Sequence, residues 1–124
     1  MSYFYLALFL AAAGINSAAQ LLLKKGSLAI AAALAGPEPI YIKLWKIATS
    51  PTIVAAAVLL AGGMLLWIRI ISKIELSRAY PINIALTVII TSTAAIFLFG
   101  ESMNLVKAGG ILLILTGIWI TLGA

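Results

Sequence analysis

The chain contains no cysteine and no histidine, and its only acidic residues are Glu38, Glu75 and Glu101. Each absence removes a class of chemistry. Without cysteine there are no disulfides and no thiolate nucleophile, and without histidine there is no imidazole base. Together these absences remove the usual zinc ligands. The three glutamates are widely spaced and fall near the ends of the expected helices, and no nucleophile–base pair is visible. An enzyme is therefore not expected, nor is a metal site or a cofactor.

Charge is also scarce. Only 9% of the residues are charged and 65% are hydrophobic, and the mean hydropathy is +1.23. Soluble domains carry about 25% charged residues. A water-soluble chain of 124 residues could not hide so much apolar side chain in one small core. Lipid must be part of the solvent. The net charge of +5 then reads as membrane topology and contact with anionic headgroups rather than nucleic-acid binding, because the basic residues flank apolar runs and no polar domain presents them.

What is present is four apolar runs. A helix crossing the hydrocarbon needs about 20 apolar residues, and residues 3–23, 52–71, 79–99 and 105–122 meet or nearly meet that length. Backbone groups in lipid must be paired within the segment, so each run is a helix. The fold class is thus all-α, an integral membrane bundle of four transmembrane helices in a single domain covering 1–124. The first run lacks a charged n-region and is longer than a typical signal h-region, which makes it a retained helix rather than a cleaved signal. Ser50-Pro51 fits the N-cap and N1 positions of the second span. Between the first two spans the stretch 27–35 either continues the first helix or forms a separate short one. Gly36-Pro37-Glu38-Pro39 is a break. Residues 40–48 mix Tyr, Trp and Lys with aliphatics, as segments lying in the membrane interface do. The remaining links are short and make neighbouring helices antiparallel.

Lys24, Lys25, Lys43, Lys46 and Lys107 collect on one membrane face. Arg69, Lys73, Arg78 and the N-terminal amine collect on the other. The positive-inside rule places the first and third loops in the cytoplasm, by a small margin.

Polar residues inside spans are informative because each needs a partner or a cavity. In the first span Asn16, Gln20 and Lys24 recur every fourth residue and stack on one face. They serve either as interhelical hydrogen-bonding glue or as a ligand-facing stripe. Tyr80, Asn83, Thr87 and Thr91 share a face of the third span, where Pro81 in the first turn costs little. The plainer reading of Thr87 and Thr91 is a bond back to their own helix. Tyr80 serves as a ligand contact or an interfacial anchor. Arg69 either snorkels to the headgroups or turns inward, where with Arg78 it would suit a phosphate. Candidate substrate-binding residues are therefore Asn16, Gln20, Arg69, Arg78, Tyr80 and Asn83. In the last span Gly110 and Gly117, seven apart, share a face that permits close helix approach. That face and the small size of the bundle favour a dimer.

Gln20-x3-Lys24 closing the first span, Ala79-Tyr80-Pro81 opening the third, Phe99-Gly100-Glu101 ending it, and Gly110 with Gly117 in the last occur here in one order. The chain in this respect resembles the drug/metabolite transporter superfamily, in its four-helix branch. That branch includes the small multidrug resistance transporters and the aminoarabinose-phosphoundecaprenol flippase subunits. The resemblance covers nearly the whole chain except the longer first loop. It implies a multi-pass protein of the inner, cytoplasmic membrane, working with membrane lipids and with a second copy or a related four-helix chain. The multidrug transporters carry a proton- and cation-binding glutamate eight residues before the lysine, and that position here is Asn16. An amide cannot titrate, so the resemblance is closer to the flippase subunits. It implies translocation of a polyprenyl-phosphate-linked sugar or similar anionic lipid. The alternatives are export of cationic drugs or small metabolites, and a non-transporting scaffold subunit.

Overall fold

A computed structural model describes residues 3–123. The N-terminal amine counted above lies outside them. The described residues form five helices: α1 (Tyr3–Ala35), α2 (Ile40–Thr49), α3 (Pro51–Ile71), α4 (Leu76–Phe99) and α5 (Leu105–Gly123). All but α2 are long and apolar enough to cross a membrane. This is a four-span, all-helical, multi-pass membrane fold.

The first helix runs on through Lys24-Lys25 and Gly26 to Ala35, well past residue 23. Lysine is a good helix former, and the stretch 27–35 is dominated by Ala, Leu and Ile, which propagate a helix already started. At about 1.5 Å per residue its 33 residues reach about 50 Å, against about 30 Å of hydrocarbon. The Lys24 level therefore marks the far headgroups, and the last turns of α1 project beyond them. Gly36 and the two following prolines stop it, and the chain returns through α2. Lys46 Nζ donates to Glu38 Oε2 at 2.8 Å and ties α2 to that break. One face of α2, carrying Ile40, Tyr41, Leu44 and Trp45, is apolar and exposed.

Two helix ends differ from their expected chemistry. Ser50 and Pro51 occupy the N-cap and N1 positions of α3, but the Ser50 side chain makes no capping hydrogen bond. Helix α4 starts at Leu76 rather than 79, so Pro81 lies inside it. The proline has no N–H to offer the carbonyl of Ser77, four residues back, which is a larger cost than in a first turn. At its other end α4 stops on Gly100, whose φ of 62° is left-handed and is open to glycine without a Cβ penalty. Asn104 then caps α5, its Oδ1 accepting from the Lys107 N–H at 2.8 Å.

Packing centres on α1. It lies against both α3 and α4, while α3 and α4 touch each other only sparsely, and α5 packs on α4 alone. The chain direction makes α1 and α4 parallel. Just beyond the end of α4, Glu101 Oε1 stands 3.9 Å from Lys24 Nζ, about two-thirds of the way along α1. Both side chains of that pair are half-exposed, so it contributes at most about 1 kcal/mol. The buried residues are mostly small: Ala12, Ala13, Ala19, Ala56 and Ala79, with Phe9 and Ile70 as the large ones. Alanine lets helix backbones approach closely, and such packing takes the place of a hydrophobic driving force between helices in lipid. Gly26 carries the closest approach, since a Cβ there would lie 2.6 Å from Ile53 Cγ1 of α3.

Candidate functional site

Three helices enclose a small cleft of about 230 Å³, lined by Ala12 and Asn16 of α1, Leu60, Gly63, Met64 and Trp67 of α3, and Tyr80 and Asn83 of α4. The α3 residues recur at i, i+3, i+4, i+7, one helical face. The two aromatic rings meet edge-on, with Trp67 and Tyr80 centroids 6.3 Å apart, a favourable arrangement of ring quadrupoles. Gly63 keeps the wall thin, because a Cβ there would come within 3.3 Å of Ile15 Cγ2.

The polar atoms of the cleft are not all paired. Asn83 Oδ1 is buried and accepts no hydrogen bond, and one turn deeper Thr87 Oγ1 is in the same state. An unpaired buried acceptor costs about 1–3 kcal/mol. The two lie one turn apart on the same face of α4. Farther along, Thr91 Oγ1 donates to Ser17 Oγ at 2.9 Å. Ser17 is only 1% exposed, so this is the polar tie between α1 and α4. Neither Thr87 nor Thr91 bonds back to its own helix; Thr116 and Thr121 of α5 do, at 2.7 and 2.9 Å. Ser17→Ala is expected to lower stability by about 1 kcal/mol. A double-mutant cycle with Thr91→Val, read by thermal unfolding in detergent, should return most of that as coupling. Simple additivity of the two changes would contradict the tie.

Of the six candidate substrate residues, the structure brings three together: Asn16, Tyr80 and Asn83. Gln20 is exposed and lies outside the cleft. Four residues turn a helix by about 400°, so the stripe begun at Asn16 rotates about 40° away from the cleft at each step. Arg69 is exposed. Two residues are about 200° of helix turn, so Arg69 projects away from Trp67 and the cleft. Arg78 stands in the same relation to Tyr80. It lines a separate groove with Lys73, Ile74, Glu75, Ile82 and Leu122, where the start of α4 meets the end of α5. The two guanidiniums therefore do not meet in an inner cavity. Gly110 and Gly117 of α5 have open space around them.

Leu60, Gly63, Met64 and Trp67 also line this site and look like lipid-facing or packing residues in the sequence, and Ser17 supports it with a small hydroxyl that is easily overlooked among alanines. Among the described residues no group of acidic side chains is placed to hold a metal ion.

The geometry defines a multi-pass membrane protein with a small, uncharged, mostly apolar cleft that carries the polar side chains Asn16, Tyr80 and Asn83. Its relatives are transporter subunits. The chain is 32% identical over 106 residues to the probable 4-amino-4-deoxy-L-arabinose-phosphoundecaprenol flippase subunit ArnF of Photorhabdus laumondii, covering 82% of this chain and 83% of that one. It is also 35% identical over 63 residues to the probable subunit ArnE of Hamiltonella defensa, and 44% identical over 48 residues to that of Aeromonas salmonicida. Those two matches span 56% and 42% of the relatives' lengths. The chain belongs to the family of these flippase subunits, within the drug/metabolite transporter superfamily. No family model matches it, and no solved structure matches it.

Proposed function

We propose that this chain is one subunit of a transporter that moves a polyprenyl-phosphate-linked sugar, or a comparable anionic lipid, across the inner membrane. The observation that carries the reading is the cleft itself. Asn83, whose carbonyl oxygen is buried and unpartnered, lines it beside Asn16, Trp67 and Tyr80, at a depth where an unsatisfied acceptor is costly. A sugar head supplies the missing donors, and its prenyl tail stays in lipid through the sparse α3–α4 seam. Lys73 and Arg78 in the groove at the start of α4 would meet the phosphate when the head is at that membrane face, with arginine as its bidentate partner. Arg69, at the same end of the bundle, adds to the positive field there.

The partner in this reading is a related four-helix chain or a second copy. Helix α5 is its docking element. It has no buried residue in this chain, and Gly110 and Gly117 would let a second helix approach closely. The names of the relatives as flippase subunits support a pair of related chains. Nothing in this role requires an enzymatic step.

Thermal stabilisation of the purified protein separates the readings. Polyprenyl phosphates are expected to raise the unfolding midpoint, and the gain should shrink in Arg78→Ala. Stabilisation by lipophilic cations, with none from the phosphates, would instead indicate a cation exporter, a role for which the aromatic pair is suited but the amide at position 16 is not.

A further inference from the structure

We infer that α2 docks on an anionic lipid surface, setting an aromatic face among the acyl chains while lysines reach the phosphates. The inference concerns the link between the first two spans and is independent of the cleft. It follows from the way α2 is mounted. Ile40, Tyr41, Leu44, Trp45 and Ala48 fall within about 140° of the helix circumference, and all are exposed. Lys43 and Lys46 lie on the opposite side, which is half-buried. An amphipathic helix packed on protein ordinarily covers its apolar arc and leaves its charges outside. Here the order is inverted, with Tyr41 and Trp45 each 69% exposed. The surface that covers the apolar arc therefore lies outside this chain.

Depth and charge make that surface lipid. Gly26 packs against Ile53 near the start of α3, so α2, which ends at Thr49, closes near the level of Lys24 and Lys25. That level is the headgroup layer, where the amphipathic rings of Tyr and Trp concentrate. Pro37 and Pro39 before α2 and Ser50-Pro51 after it let it take its own direction instead of continuing a span. Among the described residues the carboxylates at this end, Glu38 and Glu101, stand beside Lys46 and Lys24. Lys25 and Lys43 have no such partner, and the stretch 28–35 carries no charge that would repel a phosphate. Lysine stems are long enough to bring the ammonium to the headgroups from a half-buried position. An apolar, aromatic arc opposite lysines is the arrangement of a helix lying at the headgroup–acyl boundary. A second copy docked here in parallel would instead meet these lysines with like charge.

The chain has no cysteine, so a single nitroxide label reports on α2 alone. Full-length Leu44→Cys protein, spin-labelled, is reconstituted into phosphatidylcholine vesicles with and without phosphatidylglycerol. Collisions of the label with oxygen and with a water-soluble nickel chelate give its depth. With phosphatidylglycerol present, the label is expected below the phosphates, open to oxygen and shielded from the chelate. A lysine near an anionic surface contributes about fivefold to the docked-to-free ratio. That ratio should fall about tenfold or more when the acidic lipid is left out, or when Lys25→Gln and Lys43→Gln are combined. Ala48→Cys is the second label site if Leu44→Cys does not insert. A label open to the chelate in both kinds of vesicle overturns the inference, and so does equal depth in both, since the lysines then add nothing. A label shielded from oxygen and chelate alike also overturns it, because protein then covers the arc. The lipid-carrier reading stands under every one of these results, since α2 does not line the cleft.

Discussion

Replacing Asn83 with leucine is expected to leave the bundle as stable as before, or more stable by about 1 kcal/mol, while ligand affinity and transport fall by about tenfold or more. The two effects have one origin. Without a ligand, the Asn83 carbonyl oxygen is buried and unpaired, and removing such a group recovers part of a penalty of about 1–3 kcal/mol. In the proposed reading a bound head group hydrogen-bonds to the Asn83 amide at the wall of the cleft, and losing one or two such bonds costs a similar amount, which converts to roughly ten- to a hundredfold in affinity. Leucine has the same branched heavy-atom skeleton as asparagine, and its bulkier methyl groups can extend into the cleft that this half-buried residue lines. Thermal unfolding and ligand titration on the same preparation decide the matter. A strongly destabilised Asn83→Leu protein with undiminished binding would make Asn83 a structural residue and remove it from the site.

The second large effect is expected at Gly26. A mid-helix glycine changed to alanine ordinarily gains about 1 kcal/mol of helix propensity. Here the added Cβ would sit 2.6 Å from Ile53 Cγ1, an atom one bond from its own Cβ that cannot swing aside without moving the rotamer or the backbone. Overpacking of this kind costs about 1–3 kcal/mol. It falls on the α1–α3 contact that holds the bundle together, and Gly26 is buried there. Gly26→Ala should therefore be destabilising by about 1–2 kcal/mol net, and Gly26→Val by more. The diagnostic is the pair: Gly26→Ala combined with Ile53→Ala should be more stable than the sum of the single changes predicts, with a coupling of about 1 kcal/mol or more. A Gly26→Ala protein that melts higher than the unaltered one would show that α1 and α3 stand farther apart than the structure has them.

The membrane spans were legible in the sequence because their signal is additive. A window of about 20 apolar residues outvotes any local ambiguity, and the four spanning helices fall on the four apolar runs. The ends were less legible. Lys24-Lys25 looked like a terminus because charge usually marks the headgroup level, but charge stops a membrane span without stopping a helix. The start of α4 at Leu76 was hidden in the same way, by Ser77 and Arg78, which are polar yet helical. Within the cleft, Asn16, Tyr80 and Asn83 stood out because an amide or a phenol in an apolar run is conspicuous. The angular relations did not. Asn16 and Gln20, four apart, lie on the same side of a helical wheel, yet a drift of about 40° is enough to separate a cleft wall from an exposed face at the edge of an interface. Arg69 and Arg78 are at the right membrane level but are turned about half a circle away from Trp67 and Tyr80. Ser17 escaped notice for another reason. Its neighbours on the packed face, Phe9 and Ala13 at four-residue intervals, read as ordinary apolar packing, and its partner Thr91 lies 74 positions away.

The sparse seam between α3 and α4 bears on how a ligand would find this protein. A cleft with a wall open to the bilayer is approached sideways, so an amphiphile anchored by a long tail explores a plane instead of a volume. Confinement to that plane raises its local concentration in the manner of a tether. A weak interaction with the head group then suffices for occupancy, and release is correspondingly quick. For a carrier that must let go on the far side, shallow binding of this sort is an advantage, and a cleft with only three polar contributors, Asn16, Tyr80 and Asn83, is suited to it.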